Sequence, residues 1–153
     1  MSGTERVLTG LCFEDIRLGM EETFTKAVTA DDVQSFADVS GDTNPVHLDE
    51  VYAISTCFGG RIAHGLLTAS FLSTILGTKL PGPGAIYVSQ SLNFRAPVRI
   101  GDRVTARARV VSMCVEKFRV TFECECLVDG ETVVDGEAVV LVPSRAERAV
   151  EKT

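Results

Sequence analysis

A chain of 153 residues, 45% of them hydrophobic and 24% charged, is long enough to bury a core without a disulfide or a metal. Its formal net charge of -6 argues against a nucleic-acid partner, whose backbone asks for a basic surface, yet leaves room for a local basic patch facing a phosphorylated ligand. The most apolar stretch, Gly65 to Leu76, is shorter than the roughly 20 residues that cross a bilayer, so no membrane partner is expected.

The opening MSGTERVLTG lacks the apolar centre of a signal peptide. Five cysteines, at 12, 57, 114, 124 and 126, form no zinc-like spacing and read as small buried apolar residues of a reducing compartment. These features point to the cytoplasm. The whole of 1–153 reads as one domain, its core spanning about 22–142, with 1–20 and 144–153 peripheral.

In chain order, residues 1–20 form a lead-in arm of little periodicity. Glu22 to Val28 alternates as a short strand. Thr29 then opens a helix as its cap, with Asp32 at the third helical position, and Val33, Phe36, Ala37 and Ser40 lie along one side. Gly41 to Pro45 ends that helix, and Leu48 to Ser55 predicts another short one. Phe58-Gly59-Gly60 opens a flexible loop. GLLTASFLSTIL, from Gly65, is apolar nearly all round and belongs inside something, with Gly77 as its natural stop.

After Gly84 the period changes to two. Runs over Ile86–Phe94, Val104–Val110, Phe118–Cys126 and Val133–Val142 alternate apolar with polar residues, as an antiparallel sheet with one covered side does. Asp129-Gly130 marks a tight hairpin and Gly101-Asp102 another reversal. The tail SRAERAVEKT reads as frayed. An α+β layering follows, with a curved antiparallel sheet wrapped around the one long apolar helix.

Two histidines occur in the chain. His47 follows Asp42 by five residues in SGDTNPVHLD, a segment that can turn a carboxylate and an imidazole toward one point. An equally open reading makes Asp42 a turn cap and His47 a surface residue. His64-Gly65 precedes the apolar helix, whose start offers free amide hydrogens and a positive dipole end to a developing oxyanion. The plainer reading is that His64 closes the helix and Gly65 relieves crowding. Ser73 reads as a hydroxyl bonded back to its helix. Nothing resembles a nucleophile elbow, a phosphate loop or an HxxxH metal pattern, and no metal is expected. Arg95, Arg99 and Arg103 gather at one strand end, either as a solvated rim or as phosphate contacts.

FADVSGDTNPVHLDEVYA, then FGGRIAHGLLTASFLSTILG, then YVSQSLNFRAPVRIGDRV together resemble the MaoC-like family of R-specific enoyl-CoA hydratases, over about Glu22 to Val142. The resemblance implies the hot-dog fold, an antiparallel β-sheet wrapped around a long central helix. It implies a homodimer joined through its sheets, open to higher homo-oligomers, with the acyl-thioester tunnel near the subunit interface. It assigns catalysis to Asp42 and His47, the thioester carbonyl to the Gly65 amide, and support to Asn44, His64 and Ser73. Leu72, Ile75, Leu80 and the loop 78–84 are candidates for setting acyl length. The substrate it implies is an acyl-CoA thioester; no separate cofactor is expected, since coenzyme A or an acyl-carrier phosphopantetheine is part of the substrate. Three rivals stay open: a 3-hydroxyacyl-ACP dehydratase, a thioesterase of the same fold, and a non-catalytic module that binds acyl thioesters.

Overall fold

The change from helical to strand chemistry at Gly84 divides the molecule. In a computed structural model, which describes residues 9–151, the elements before that glycine are mostly helices, and the long strands follow it. Strand β1 (Glu21–Ala27) leads into helix α1 (Ala30–Ser40). There Thr29 and Asp32 form the expected capping box, with the Asp32 amide donating to the Thr29 hydroxyl and the Thr29 amide to the Asp32 carboxylate. Losing such a cap costs about 1 kcal/mol. Gly41, at φ 80°, ends the helix in the left-handed conformation that glycine adopts without strain.

Two differences follow at once. Pro45 does not merely end α1; it starts helix α2 (Pro45–Leu48), capped by Asn44, whose side chain accepts from the Val46 amide. Proline suits a first helical position because its missing N–H would be unpaired there anyway. The helix expected over Leu48–Ser55 is found as α3 (Glu50–Ile54), capped by Asp49, and α2 is an additional turn before it.

Helix α4 (Gly65–Thr78) is the buried centre, with Leu67, Phe71, Leu72, Ile75 and Leu76 all inside. It runs through Gly77 instead of stopping there. Leu80, 2% exposed, is drawn into the core, and the Lys79 and Leu80 amides both donate to the Ile75 carbonyl, so the turn closes beyond the glycine.

Strands β2 (Ile86–Gln90), β3 (Asn93–Phe94), β4 (Arg103–Cys114), β5 (Arg119–Val128) and β6 (Glu131–Leu141) complete an antiparallel six-stranded sheet. Its order is β1-β4-β5-β6-β2, with β3 on β6. The alternating residues Val104, Ala106, Ala108 and Val110 of β4, and Val120, Phe122, Cys124 and Cys126 of β5, face inward and are buried. The small side chains at four of those positions let the sheet curl closely over α4, giving the hot-dog arrangement. Asp129 and Gly130 both take positive φ at the tight turn, as expected.

The run expected over Ile86–Phe94 is split. A bulge between Tyr87 and Ser89 interrupts β2, and its Ile86, Tyr87 and Val88 are all substantially exposed. This strand is an edge, so its alternation has no second layer to cover it among the described residues. The terminal segments are also less peripheral than their composition suggests. Phe13 and Ile16 are core residues, and Phe13 packs edge-on to Phe118. The tail, expected to fray, forms helix α5 (Arg145–Glu151). Arg148 donates to the Leu11 and Pro83 carbonyls, and Arg145 pairs with Asp15. These ties need partners from distant segments, which local composition does not reveal. Of the cysteines, Cys124 and Cys126 are buried as expected, whereas Cys57 and Cys114 are exposed and Cys12 is half-buried. Cys12 and Cys57 lie outside the sheet, and Cys114 sits at the end of β4 beyond its buried face.

Candidate active site

Asp42 lies between α1 and α2, on a four-residue stretch without regular structure. Its amide donates to the Ser40 hydroxyl, and its carboxylate accepts from the Asn44 amide at 3.2 Å. These local bonds are the turn chemistry of Asp and Asn. They leave the carboxylate exposed at the mouth of a cavity of about 720 Å³.

His47 sits on α2 in the wall of the same cavity and is only 8% exposed. Its Nδ1 lies 2.8 Å from the Ile62 carbonyl. A carbonyl only accepts, so Nδ1 carries the hydrogen and Nε2 keeps a lone pair for proton chemistry. Burial pushes the imidazole below the ordinary histidine range; the Ile62 bond opposes this, His64 adds to it, and the Asp42 charge opposes it in turn. The ring is therefore a neutral base near pH 7.

His64 caps α4 and is buried at 2% exposure. Its ring stacks on His47, centroids 3.9 Å apart, and touches Phe36 at 4.8 Å. Its Nε2 donates to the Asp42 carbonyl at 2.9 Å. A carboxylate oxygen of Asp42 and one ring nitrogen from each histidine lie within 4.8 Å of one another. One nitrogen of each ring is committed to a carbonyl, which leaves the other free for proton transfer or, by donor type, for a divalent metal. The arrangement favours proton transfer.

Gly65 is the first residue of α4, so its amide has no partner within the helix. A Cβ built there would come within 2.6 Å of the Phe94 ring, so a side chain at this position must displace that ring. The sequence suggests that Gly65 admits a ligand to the backbone; in the structure, the aromatic ring of β3 occupies the side-chain volume, while Gly65 itself stays exposed in the cavity wall.

Asp42, His47, His64 and Gly65 thus come together. Asn44 holds α2 through its side chain, which accepts from the Val46 amide, and the Asp42 carboxylate through its backbone amide. Ser73 stands apart, in a separate shallow groove of about 320 Å³ with Tyr87, Ser89 and Gln90. It lies more than two turns along α4 from Gly65 and is not in the wall of the larger cavity. The three arginines do not form a cluster at the cavity. Arg95 lines it and makes a two-pronged pair with Asp135, at 3.0 and 3.2 Å, whereas Arg99 and Arg103 are not in its wall. Leu72, Ile75 and Leu80 are core residues outside the cavity.

Sequence reasoning missed several contributors. Ile62 and Arg61 act on His47 by backbone bonds, the Arg61 Nε donating to the His47 carbonyl at 2.6 Å. Phe94 and Thr68 line the cavity as well. The alternation placed Phe94 on the apolar side of its strand; nothing marked Ile62, since its carbonyl is common to every residue.

The model of the MaoC like domain matches residues 17–131. The chain belongs to the MaoC-like family. An (R)-specific enoyl-CoA hydratase of the family, from Rhodospirillum rubrum, is 54% identical over 133 residues, 87% of this chain and 92% of that protein. A 3-hydroxybutyryl-CoA dehydratase of Methylorubrum extorquens is 52% identical over 137 residues, 90% and 87% of the two chains. Among solved structures, the unliganded R-hydratase PhaJ1 of Pseudomonas aeruginosa superposes with a TM-score of 0.85 at 39% identity, covering 90% of this chain and 89% of that one. MaoC-like relatives of this kind share the sheet-wrapped central helix described above.

Proposed function

We propose that the protein catalyses the reversible hydration of a trans-2-enoyl-CoA to an (R)-3-hydroxyacyl-CoA. The observation that carries this reading is the cavity itself, where the Asp42 carboxylate and a neutral His47 ring face the amide-bearing start of a buried helix. Its hydratase and dehydratase relatives, at 54% and 52% identity, support the same reaction and its hand.

In this reading the thioester carbonyl rests on the Gly65 amide, where the helix dipole stabilises the enolate oxygen. Asp42 and the His47 Nε2 hold a water over the β-carbon and take its proton as oxygen bonds to carbon. A proton reaches the α-carbon as the enolate collapses. Dehydration is the same site run backwards. Asn44 and His64 support the pair. Of the three arginines only Arg95 lines the cavity, which supports it as the contact to coenzyme A phosphates, and no cofactor beyond that substrate enters the chemistry.

The exposed edge strand β2 and Leu66, 59% exposed on α4, suit a homodimer joined through its sheets. Ser73 opens onto the same face, where a second subunit would cover it. Five unpaired cysteines fit a reducing cytoplasm, and no helix among the described residues is long and apolar enough to cross a membrane.

Incubation with crotonyl-CoA tests the reading. Loss of the conjugated double bond without free thiol, giving the R product, is expected. Thiol release would instead assign a thioesterase, and binding without turnover an acyl-thioester module.

A further inference from the structure

Asp42 has three hydrogen-bonding groups, and two of them are tied within two residues, to Ser40 and Asn44. The third, its carbonyl, accepts from the His64 Nε2, twenty-two residues away in sequence. Among the described residues this is the one recorded hydrogen bond from Asp42 to the segment that carries Gly65. The same ring stacks on His47. His64 therefore touches both proton-handling residues and is peptide-bonded to the glycine that would hold the carbonyl.

The tautomer of His64 follows from that bond. With its hydrogen on Nε2, the other nitrogen, Nδ1, is an acceptor; it is buried and has no partner. One turn along α4, the Thr68 hydroxyl is also buried, in a residue 1% exposed, and also has no partner. One group needs a hydrogen and the other has one to give. The Thr68 amide donates to the His64 carbonyl at 3.3 Å, its side chain leans toward the helix end that His64 caps, and both residues line the same cavity. Two unpaired buried polar groups of opposite kind, one turn apart, are costly to leave unjoined.

We infer that Thr68 and His64 are positioning residues: the Thr68 hydroxyl donates to the His64 Nδ1, which locks the ring that sets Asp42 and His47 against the Gly65 amide. The inference rests on the hydratase reading for its kinetic consequence, not for the bond. That bond would complete a chain from hydroxyl to imidazole to the Asp42 carbonyl. No proton needs to move along it. Its effect is to hold one wall of the cavity in register with the other, where an error of about 1 Å costs on the order of 10²-fold in rate.

Four variants, assayed in the full chain with crotonyl-CoA, separate the parts. His64→Phe keeps a ring for stacking but loses the donor, and should lower kcat by about 10²-fold with KM little changed. His64→Gln keeps a donor for the Asp42 carbonyl and should recover most of that loss. Thr68→Val keeps the shape and removes the hydroxyl; a lost hydrogen bond of ordinary strength predicts a kcat about 2–10-fold lower. Thr68→Ser should restore it. Independently of turnover, the nitrogen-15 resonance of the His64 Nδ1 should move in Thr68→Val and return in Thr68→Ser. A Thr68→Val enzyme with wild-type kcat and unmoved His64 resonances would overturn the inference, as would His64→Gln no better than His64→Phe. If the wild type does not hydrate crotonyl-CoA, the hydratase reading fails while the resonance test still decides the bond.

Discussion

The two walls of the cavity do different work by different means. The loop wall, Asp42 to His47, presents side chains: a carboxylate held by local turn bonds, and an imidazole whose Nδ1 is committed to the Ile62 carbonyl. The helix wall, from Gly65, presents backbone: an amide at the start of a buried helix, kept bare because a Cβ would strike Phe94 at 2.6 Å. Side-chain chemistry is a matter of which residue is present. Backbone chemistry is a matter of what is absent, and of where the chain has been put. The difference predicts how each wall fails when it is altered.

The loop wall should fail most heavily. Asp42→Asn and His47→Gln each remove a proton-handling group without removing bulk, and positioned acid–base groups contribute about 10²–10⁴-fold in rate. Loss in that range is expected in turnover of crotonyl-CoA, with far-ultraviolet circular dichroism unchanged. Either variant retaining near wild-type kcat would remove that residue from the mechanism.

The helix wall should fail through packing. Gly65→Ala must displace Phe94, a ring on the short strand β3 that is itself 54% exposed and so has room to move. Losing one well-placed oxyanion donor costs about 10²–10³-fold; a shifted donor should cost less, about 10²-fold. Adding Phe94→Ala sharpens the comparison. Recovery of kcat in Gly65→Ala/Phe94→Ala would show that the amide was misplaced by the clash. A double variant as slow as Gly65→Ala would show that the added methyl group itself blocks the carbonyl.

This contrast also explains what could be read in the sequence. The central helix and the long strands β4 and β5 were legible because their periodicity records burial directly, as the inward Val104, Ala106, Val120 and Phe122 show. The capping box at Thr29 and Asp32 was legible because it closes within three residues. Asp42 and His47 stood out by residue type and spacing. The bonds that set their geometry did not, because Ile62 and the Asp42 carbonyl act through backbone atoms that every residue carries. Ser73 was grouped with the site by resemblance, and a single chain gives it a different face of the helix. The tail was misread for a related reason: Arg148 is an ordinary surface residue until the Leu11 and Pro83 carbonyls come within reach.

The smallest effect concerns pH, and it separates the walls without any mutation. His47 is held below the ordinary histidine range chiefly by burial, while the amide of Gly65 does not titrate. A neutral His47 is the competent base, so kcat/KM should stay level as pH falls through 6.5, the ordinary value for a free imidazole, and decline only on passing the lower value in the folded protein. Stability follows the same sign. A group whose folded pKa is depressed contributes fully above its unfolded pKa, and that contribution is lost as pH falls through the folded one, because the unfolded chain takes up the proton more readily. The His47 part of the melting temperature should therefore begin to fall near the free-imidazole value, ahead of activity, which falls only nearer the lower folded one, and His47→Gln should remove that part of the melting dependence. An acid limb centred at or above the free-imidazole value would mean that the ring is more open to water than its 8% exposure implies. The loop wall would then be less dry than the helix wall it faces, and Asp42 would have to carry more of the proton transfer.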